Sequence, residues 1–299
     1  MLNYRLCCII RQSLFKKEPM KIILDRDLTL LDALAIVAPD SSKTTLRSWL
    51  KEERVFVDGI LEKVGTRHLK KGQVVTVGVK SAPPISGLRI LYEDTHLIVV
   101  DKPSGLLSVS AAFEKAKTAH AALKNHYRPR KVYVVHRLDQ ETSGVMLFAF
   151  SEKAYENLKK AFEEHHIGRY YIGIVEGQLL QNQGTWESYL YEDENYMVHE
   201  TLDLNRGRLA ITHYEVLNSN KLYSCVKFTL ETGRKNQIRV QCKAAGHSIA
   251  GDTKYGSVRN PIRRLCLHAK GLVFEHPISG KKMEFDSPLP KEFNNFIEL

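Results

Sequence analysis

The sequence predicts an α+β protein: a mixed, mostly antiparallel central sheet over residues 89–299, preceded by a small αα-β unit over residues 20–80. Three observations predict it. Beyond residue 89, short β-branched and aromatic runs outnumber helical stretches. Ahead of them, two short apolar-periodic segments are followed by an Asp-Gly hairpin signal. Between the two lies a proline-rich stretch, Ser81-Ala82-Pro83-Pro84-Ile85-Ser86-Gly87, read as a linker over residues 81–88. At 299 residues the chain has room for both units.

Residues 1–19 contain Leu6-Cys7-Cys8-Ile9-Ile10, an apolar core too short and too broken for a signal peptide. They read as a frayed, disordered basic extension, with Met20 an alternative start. Leu30, Leu31, Leu34, Ala35, Ile36 and Val37 predict a first helix closed by Pro39 and Asp40. Ser41-Ser42-Lys43-Thr44-Thr45 offers N-cap residues for a second helix over 45–53. Val55-Phe56-Val57 is a strand entering the Asp58-Gly59 turn, and Lys70-Lys71-Gly72-Gln73 leads into a strand over 74–79. Lys43, Arg47, Lys51 and Arg54 lie along the second helix. This unit resembles the RNA-binding domain named after small-subunit ribosomal protein S-four, and the resemblance makes Lys43, Arg47 and Lys51 candidate RNA contacts.

In the larger part, strands are predicted over 97–100, 132–135, 145–150, 170–175, 210–217 and 224–230. A helix over 151–165 carries Ala154, Leu158, Ala161 and Phe162 on one face behind Ser151 as N-cap. Residues 235–245 predict a last helix, stopped by Gly246.

Composition narrows the partners. Forty-four Lys and Arg against 34 Asp and Glu give a net charge of +10, which favours RNA, DNA or anionic lipid without choosing among them. No apolar run approaches the roughly 20 residues of a membrane span. Five scattered cysteines, with no Cys-x-x-Cys and no His-Glu-x-x-His, predict reduced thiols, no disulfide framework, no structural zinc and a cytoplasmic protein.

Three segments combine charge, glycine and apolar flanks. The first is His136-Arg137-Leu138-Asp139-Gln140-Glu141-Thr142-Ser143-Gly144, a polar loop between two strands. Taken alone, Asp139 there reads as an ordinary turn residue capping backbone amides. The second is the strand Arg169–Gly177, whose alternation puts Tyr171, Gly173 and Val175 on one face. The third runs from Glu231 to Val240, with Arg234 and Arg239 near a helix N-terminus that favours anions.

His136-Arg137-Leu138-Asp139 with Thr142-Ser143-Gly144 resembles the signature of RluA-type RNA pseudouridine synthases. Asp101-Lys102-Pro103-Ser104-Gly105-Leu106, Arg169-x-Tyr171, Thr232-Gly233-Arg234 with Gln237-Ile238-Arg239, Gly251–Gly256 and Leu265–Ala269 match further family segments in order, over residues 89–290. The chain departs from the pattern at Asn236 and Gln241, where the family usually or often has His, and at Arg169, where it has Lys. The amide side chains still hydrogen-bond, which puts local packing in more doubt than chemistry.

The resemblance implies the pseudouridine synthase fold and an isomerase needing no metal, nucleotide or redox cofactor. Such enzymes cut the uridine N1–C1′ bond, rotate the uracil and rejoin it through C5. Asp139 would be the essential carboxylate, as nucleophile at C1′ or as base for the C2′ proton. Arg239 would keep it ionised, and Tyr171 would stack on the uracil and help remove the C5 proton. Arg137 would be a wedge filling the vacated stack, or else a structural ion pair, and Arg234 a further RNA contact. His136 reads as a hydrogen-bonded core residue rather than a base. The expected partner is RNA, ribosomal RNA of the large subunit foremost and transfer RNA second, with no membrane and no obligate protein partner; the chain is read as a monomer. A non-catalytic RNA-binding protein is the competing class, and intact Asp139, Tyr171 and Arg239 argue against it.

Overall fold

The computed structural model describes residues 20–78, 85, 87–110 and 117–296. The extension assigned to residues 1–19, with Cys7 and Cys8, and most of the proline-rich linker lie outside the described residues. The chain divides into two compact units, residues 1–82 and 83–299.

The first unit contains β1 (Met20–Ile23), β2 (Leu28–Thr29), α1 (Leu30–Val37), α2 (Lys43–Lys51), β3 (Val55–Val57), β4 (Ile60–Leu61), β5 (His68–Leu69) and β6 (Val74–Val77). Four of the strands form a sheet in the order β1-β6-β3-β4. Thr29 caps α1 by accepting from Asp32 N. Ser42 caps α2 by accepting from Thr45 N at 3.2 Å. The second helix therefore begins two residues earlier than its hydroxyl-rich start suggested, because the first usable hydroxyl takes the cap. Leu46, Trp49 and Leu50 are the buried stripe of α2 and pack with Leu30, Ala33 and Leu34 of α1 over Val55, Val57, Val75 and Val77. Lys43, Arg47 and Lys51, at i, i+4 and i+8, share the exposed face. Asp58 and Gly59, at φ 51° and 83°, make the β3–β4 turn that Asp-Gly favours.

The second unit contains β7 (Arg89–Glu93), β8 (Leu97–Lys102), α3 (Ala119–His126), β9 (Tyr133–Val134), β10 (Ser143–Ala149), α4 (Glu152–Glu163) and β11 (Gly168–Glu176). It continues with β12 (Gln183–Glu192), β13 (Val198–Thr201), β14 (Arg208–Ser219), β15 (Tyr223–Leu230), α5 (Gln237–Ala244), β16 (Leu267–Glu275) and β17 (Lys282–Asp286). The sheet runs β13-β12-β14-β15-β11-β16-β10-β8-β7, with β17 beside β16 and β9 beside β10. Among the described residues its pairings are antiparallel except for β10 with β16. No helix among them is long and apolar enough to cross a membrane.

Every residue of β10 is buried, because both faces of that strand are covered. Met146 and Phe148 pack with Ala119 and Leu123 of α3, while Val145 and Leu147 pack with Ala154 and Leu158 of α4. A strand covered on both faces is apolar throughout rather than alternating, as this one is. Its first residues, Ser143 and Gly144, pair in parallel with His268 and Ala269. At Gly144, with φ 115°, a Cβ would lie 2.1 Å from Ala269 O, so only glycine lets the two strands meet there.

Candidate active site

The loop leading from β9 into β10 carries Asp139, and three residues, Ser108, Gly105 and Lys102, fix the positions on either side of it. Ser108 Oγ donates to Leu138 O at 2.7 Å and accepts from Leu138 N at 3.1 Å. Gly105 N donates to Gln140 O at 2.9 Å, and Gln140 Nε2 returns a bond to Gly105 O at 3.1 Å. Lys102, wholly buried, donates from Nζ to Gln140 O at 2.9 Å, to Leu106 O at 2.7 Å and to Pro103 O at 3.1 Å. Three carbonyls saturate the three N–H bonds of the ammonium, the condition for burying it. Burial still pulls Lys102 down to about 8, partly offset by the charges of Glu141 and Asp139. The segment Asp101–Leu106, matched above without a role, thus clamps the loop that presents Asp139.

Asp139 itself is held through one oxygen. Asn236 Nδ2 donates to Oδ2 at 2.6 Å and Arg239 Nη1 donates to the same atom at 3.1 Å. Oδ1 accepts no hydrogen bond from the described residues. The carboxylate side chain is 25% exposed against 11% for Arg239 and 1% for Asp252, so the ion network deepens away from the opening.

Arg239 forks onto Asp252, Nε to Oδ2 and Nη2 to Oδ1, each at 2.7 Å. Such a bidentate pair fixes the plane of the guanidinium. Burial opposes its charge, but Asp252 and then Asp139 outweigh burial and raise the guanidinium above its ordinary value. Its flat face lies over the Tyr255 ring, 4.9 Å from the centroid. Tyr255 donates from its hydroxyl to Asn236 Oδ1 at 3.1 Å, which turns the amide nitrogen of Asn236 towards Asp139.

Asn236 has φ 53° and ψ 18°, the left-handed region that asparagine tolerates better than most residues. This bend starts α5 at Gln237, two residues later than the sequence suggested. The two amide departures have different fates. Gln241 sits in packing, accepting from Thr212 Oγ1 at 2.6 Å and donating to Ser188 Oγ and Ala210 O at 3.1 Å. Asn236 instead faces the cleft, as a donor to Asp139.

Tyr171 of β11 and Arg234 line the same cleft of about 220 Å³ as Asp139, Asn236 and Arg239, with Arg137 at its edge and Leu138, Leu230, Ile238 and Leu267 as apolar wall. This is smaller than the roughly 300–1,000 Å³ of pockets for drug-sized ligands and suits a single base. Burial, with the Asp139 charge assisting and Arg169 opposing, pushes the Tyr171 phenol up to about 12. Its ring forms part of the cleft wall.

Arg234 is oriented by a bond from Nε to Leu209 O at 2.9 Å. Arg137 is exposed and pairs with no carboxylate among the described residues, which leaves the ion-pair alternative without support. Arg169 lies outside the cleft lining, donating to Glu231 O at 3.3 Å with its guanidinium over Phe162. His136 accepts from Leu147 N at 2.9 Å and stacks on Phe162, and burial holds it neutral, down to about 3. Lys43, Arg47 and Lys51 belong to the first unit.

Sequence reasoning matched Asp252, Tyr255 and Lys102 as parts of segments but gave them no roles. For Asp252 a signal existed: an arginine on an otherwise buried helix face requires a carboxylate. Among the described residues no group of three His, Cys, Asp or Glu is placed to hold a metal ion.

A family model described as RNA pseudouridylate synthase matches residues 96–244. The chain is 32% identical over 283 residues to Uncharacterized RNA pseudouridine synthase YlyB of Bacillus subtilis, covering 89% of this chain and 91% of that one. It is 32% identical over 292 residues to Ribosomal large subunit pseudouridine synthase D of Neisseria meningitidis, covering 90% of this chain and 78% of that one. The solved structure of Human RNA Pseudouridylate Synthase Domain Containing 4 superimposes with a TM-score of 0.58 at 21% identity, over 69% of this chain and 92% of that chain, a likeness of fold.

Proposed function

Because the chain belongs to the RNA pseudouridylate synthase family, we propose which of its residues carry out the family's reaction and which RNA it takes. It isomerises uridine to pseudouridine in RNA. The N1–C1′ bond of a uridine breaks, the uracil turns, C5 bonds to C1′, and the C5 proton is lost while N1 gains one.

Asp139 is the reacting carboxylate, through Oδ1. The observation that carries this is the paired donation of Asn236 and Arg239 to Oδ2, which fixes the carboxylate in place and leaves its other oxygen free for the sugar. Either attack on C1′ or removal of the C2′ proton uses that oxygen. Tyr171 supplies the face on which the extruded uracil lies. The target base must leave its stack at a cost of a few kcal/mol, lowest in loops and distorted helices, and Arg137 fills the space it vacates. Arg234 meets the flanking backbone.

The substrate is ribosomal RNA of the large subunit, met in the cytoplasm. Several relatives carry that activity in their names. The first unit, residues 20–80, acts as an S-four-type module whose Lys43, Arg47 and Lys51 contact phosphates and position the RNA without reading bases. The test is pseudouridine mapping of total RNA with the wild-type chain and with Asp139→Asn. Wild type is expected to add pseudouridine to large-subunit ribosomal RNA. The variant is expected to add none while binding RNA within about tenfold of wild type, since a neutral isostere removes the reactive oxygen and little contact area. Modification at the normal rate by the variant would overturn the assignment of Asp139. Modification confined to transfer RNA would overturn the substrate.

A further inference from the structure

The stretch from Lys117 to Leu138 contains Lys117, Lys124, Arg128, Arg130, Lys131 and Arg137 and no Asp or Glu. In a chain whose whole excess is +10, this is a dense local charge. Part of it lines a groove of about 380 Å³ between α3 and the segment entering β9, with Lys124, Arg128, Lys131 and Tyr133 among its walls.

The cations of this groove are of two kinds. Arg130 is built in: its guanidinium lies 3.7 Å from the centroid of the Phe150 ring and donates to the carbonyls of Asp94 (3.1 Å) and Thr95. Lys124, Arg128 and Lys131 are exposed and pair with no carboxylate among the described residues. The acids nearby are turned to other work. Glu93 accepts from Tyr127 OH at 2.6 Å. Asp94 accepts from Tyr92 OH, His96 N, Leu97 N and His276 Nε2. The positive potential over the groove is therefore left standing, which suits an anionic polymer rather than an internal partner.

The position of the groove within the fold is equally informative. Tyr133 pairs with Ala149 at the far end of β10, whereas the cleft lies at the Ser143 end. Six residues of strand separate the two, about 20 Å at 3.3 Å per residue. The groove cannot touch the reacting uridine, but a folded RNA seated in the cleft would reach it with backbone several nucleotides away. Building on the reading of the protein as an enzyme on structured RNA, we infer that Lys124, Arg128 and Lys131 form a remote phosphate clamp. It holds the substrate's backbone away from the target base and adds affinity and substrate size selection without taking part in bond making.

The test compares the full-length chain with its Lys124→Gln/Arg128→Gln/Lys131→Gln variant on whichever RNA the wild type modifies, both as a long folded fragment and as a minimal stem-loop too short to span the separation. On the long RNA, KM is expected to rise at least tenfold and kcat to stay within twofold. The slope of log K against log salt should fall by about 2–3, since each lost phosphate contact removes roughly 0.7–0.9. On the stem-loop, KM should be the same for both proteins. Lys131→Gln alone should give about a third of the slope change, and Arg128→Lys should leave the slope unaltered, so the clamp stays testable even if the triple variant folds poorly. Unchanged KM and slope on the long RNA would overturn the clamp, as would an equal loss on the stem-loop. So would the finding that the variant loses binding to an acidic polypeptide while its RNA kinetics stay normal. A wild type with no activity on large-subunit ribosomal RNA would instead count against the substrate named above, because the clamp is measured on the RNA that is modified.

Discussion

Two short helices of this protein treat their basic residues in opposite ways. In α2 the stripe Leu46, Trp49 and Leu50 is buried and Lys43, Arg47 and Lys51 stand in solvent on the other face. In α5 every residue from Gln237 to Cys242 is buried, and Arg239 points inward between two carboxylates. An unpaired surface cation attracts a polyanion from a distance and is screened by salt. A buried, forked guanidinium instead fixes the position of one atom of its partner, because moving it would strand two charges. The comparison teaches that similar side chains do different physical work: the cations of α2 stand free in solvent, while the guanidinium of α5 is spent on fixing two carboxylates.

The harshest way to break this contrast is Arg239→Ala. Asp252 would be left buried with its two strongest donors gone, so unfolding free energy should fall by about 3–5 kcal/mol by urea denaturation. A loss below about 1 kcal/mol would mean that water replaces the fork and that the pair is not structural.

Acid should separate the two units rather than the two helices. His136 and His268 of the larger unit are held neutral by burial, down to about 3 and about 4, against roughly 6.5 in an unfolded chain. Below about 6.5 the unfolded chain binds protons that the folded one refuses. Stability is therefore complete above that pH and is lost as pH falls towards 4. At pH 5 the deficit is about 2 kcal/mol for each histidine, taken as about 1.4 kcal/mol per pH unit. Melting curves at pH 7 and pH 5 should show the larger unit moving, and equal midpoints would refute the burial.

Asn236→Ala removes one donor from Asp139 and the partner of Tyr255. Losing a hydrogen bond to a charged group is worth about 1–3 kcal/mol, or roughly 5- to 150-fold in kcat, with KM nearly constant. A change in KM alone would move Asn236 from the chemistry to binding. The mildest change belongs to α2: each of Lys43→Gln, Arg47→Gln and Lys51→Gln should lower the salt slope of RNA binding by roughly 0.7–0.9 and leave kcat untouched.

Much of this contrast was legible in the residues themselves. The sequence places Lys43, Arg47 and Lys51 along the second helix, and the structure, by starting that helix at Lys43, puts them on one exposed face. The matched segments brought Asp139, Tyr171 and Arg239, far apart in the chain, into one cleft. What stayed hidden has physical reasons. The left-handed turn at Asn236 leaves no trace in apolar periodicity, so a donor to Asp139 was read as a packing substitution. The role of Lys102 is hidden because the three carbonyls that satisfy it converge only in the folded chain. Strand β12, Gln183–Glu192, is not announced by the sequence because Gln, Thr, Glu and Ser are interspersed with partly exposed Trp186, Tyr189 and Tyr191, and no β-branched run marks it. Such strands are defined by their partners, here β13 and β14.

The parallel contact at Gly144 also has a temporal side. Ser143 and His268, which it brings together, lie 125 residues apart, and closing so long a loop is the slow kind of step in folding. A chain emerging from its N-terminus would complete the α1–α2 unit after fewer than 80 residues. The wall of the cleft that includes Leu267 can form only once most of the chain is made. During synthesis, the α1–α2 unit would be complete well before the cleft that holds Asp139.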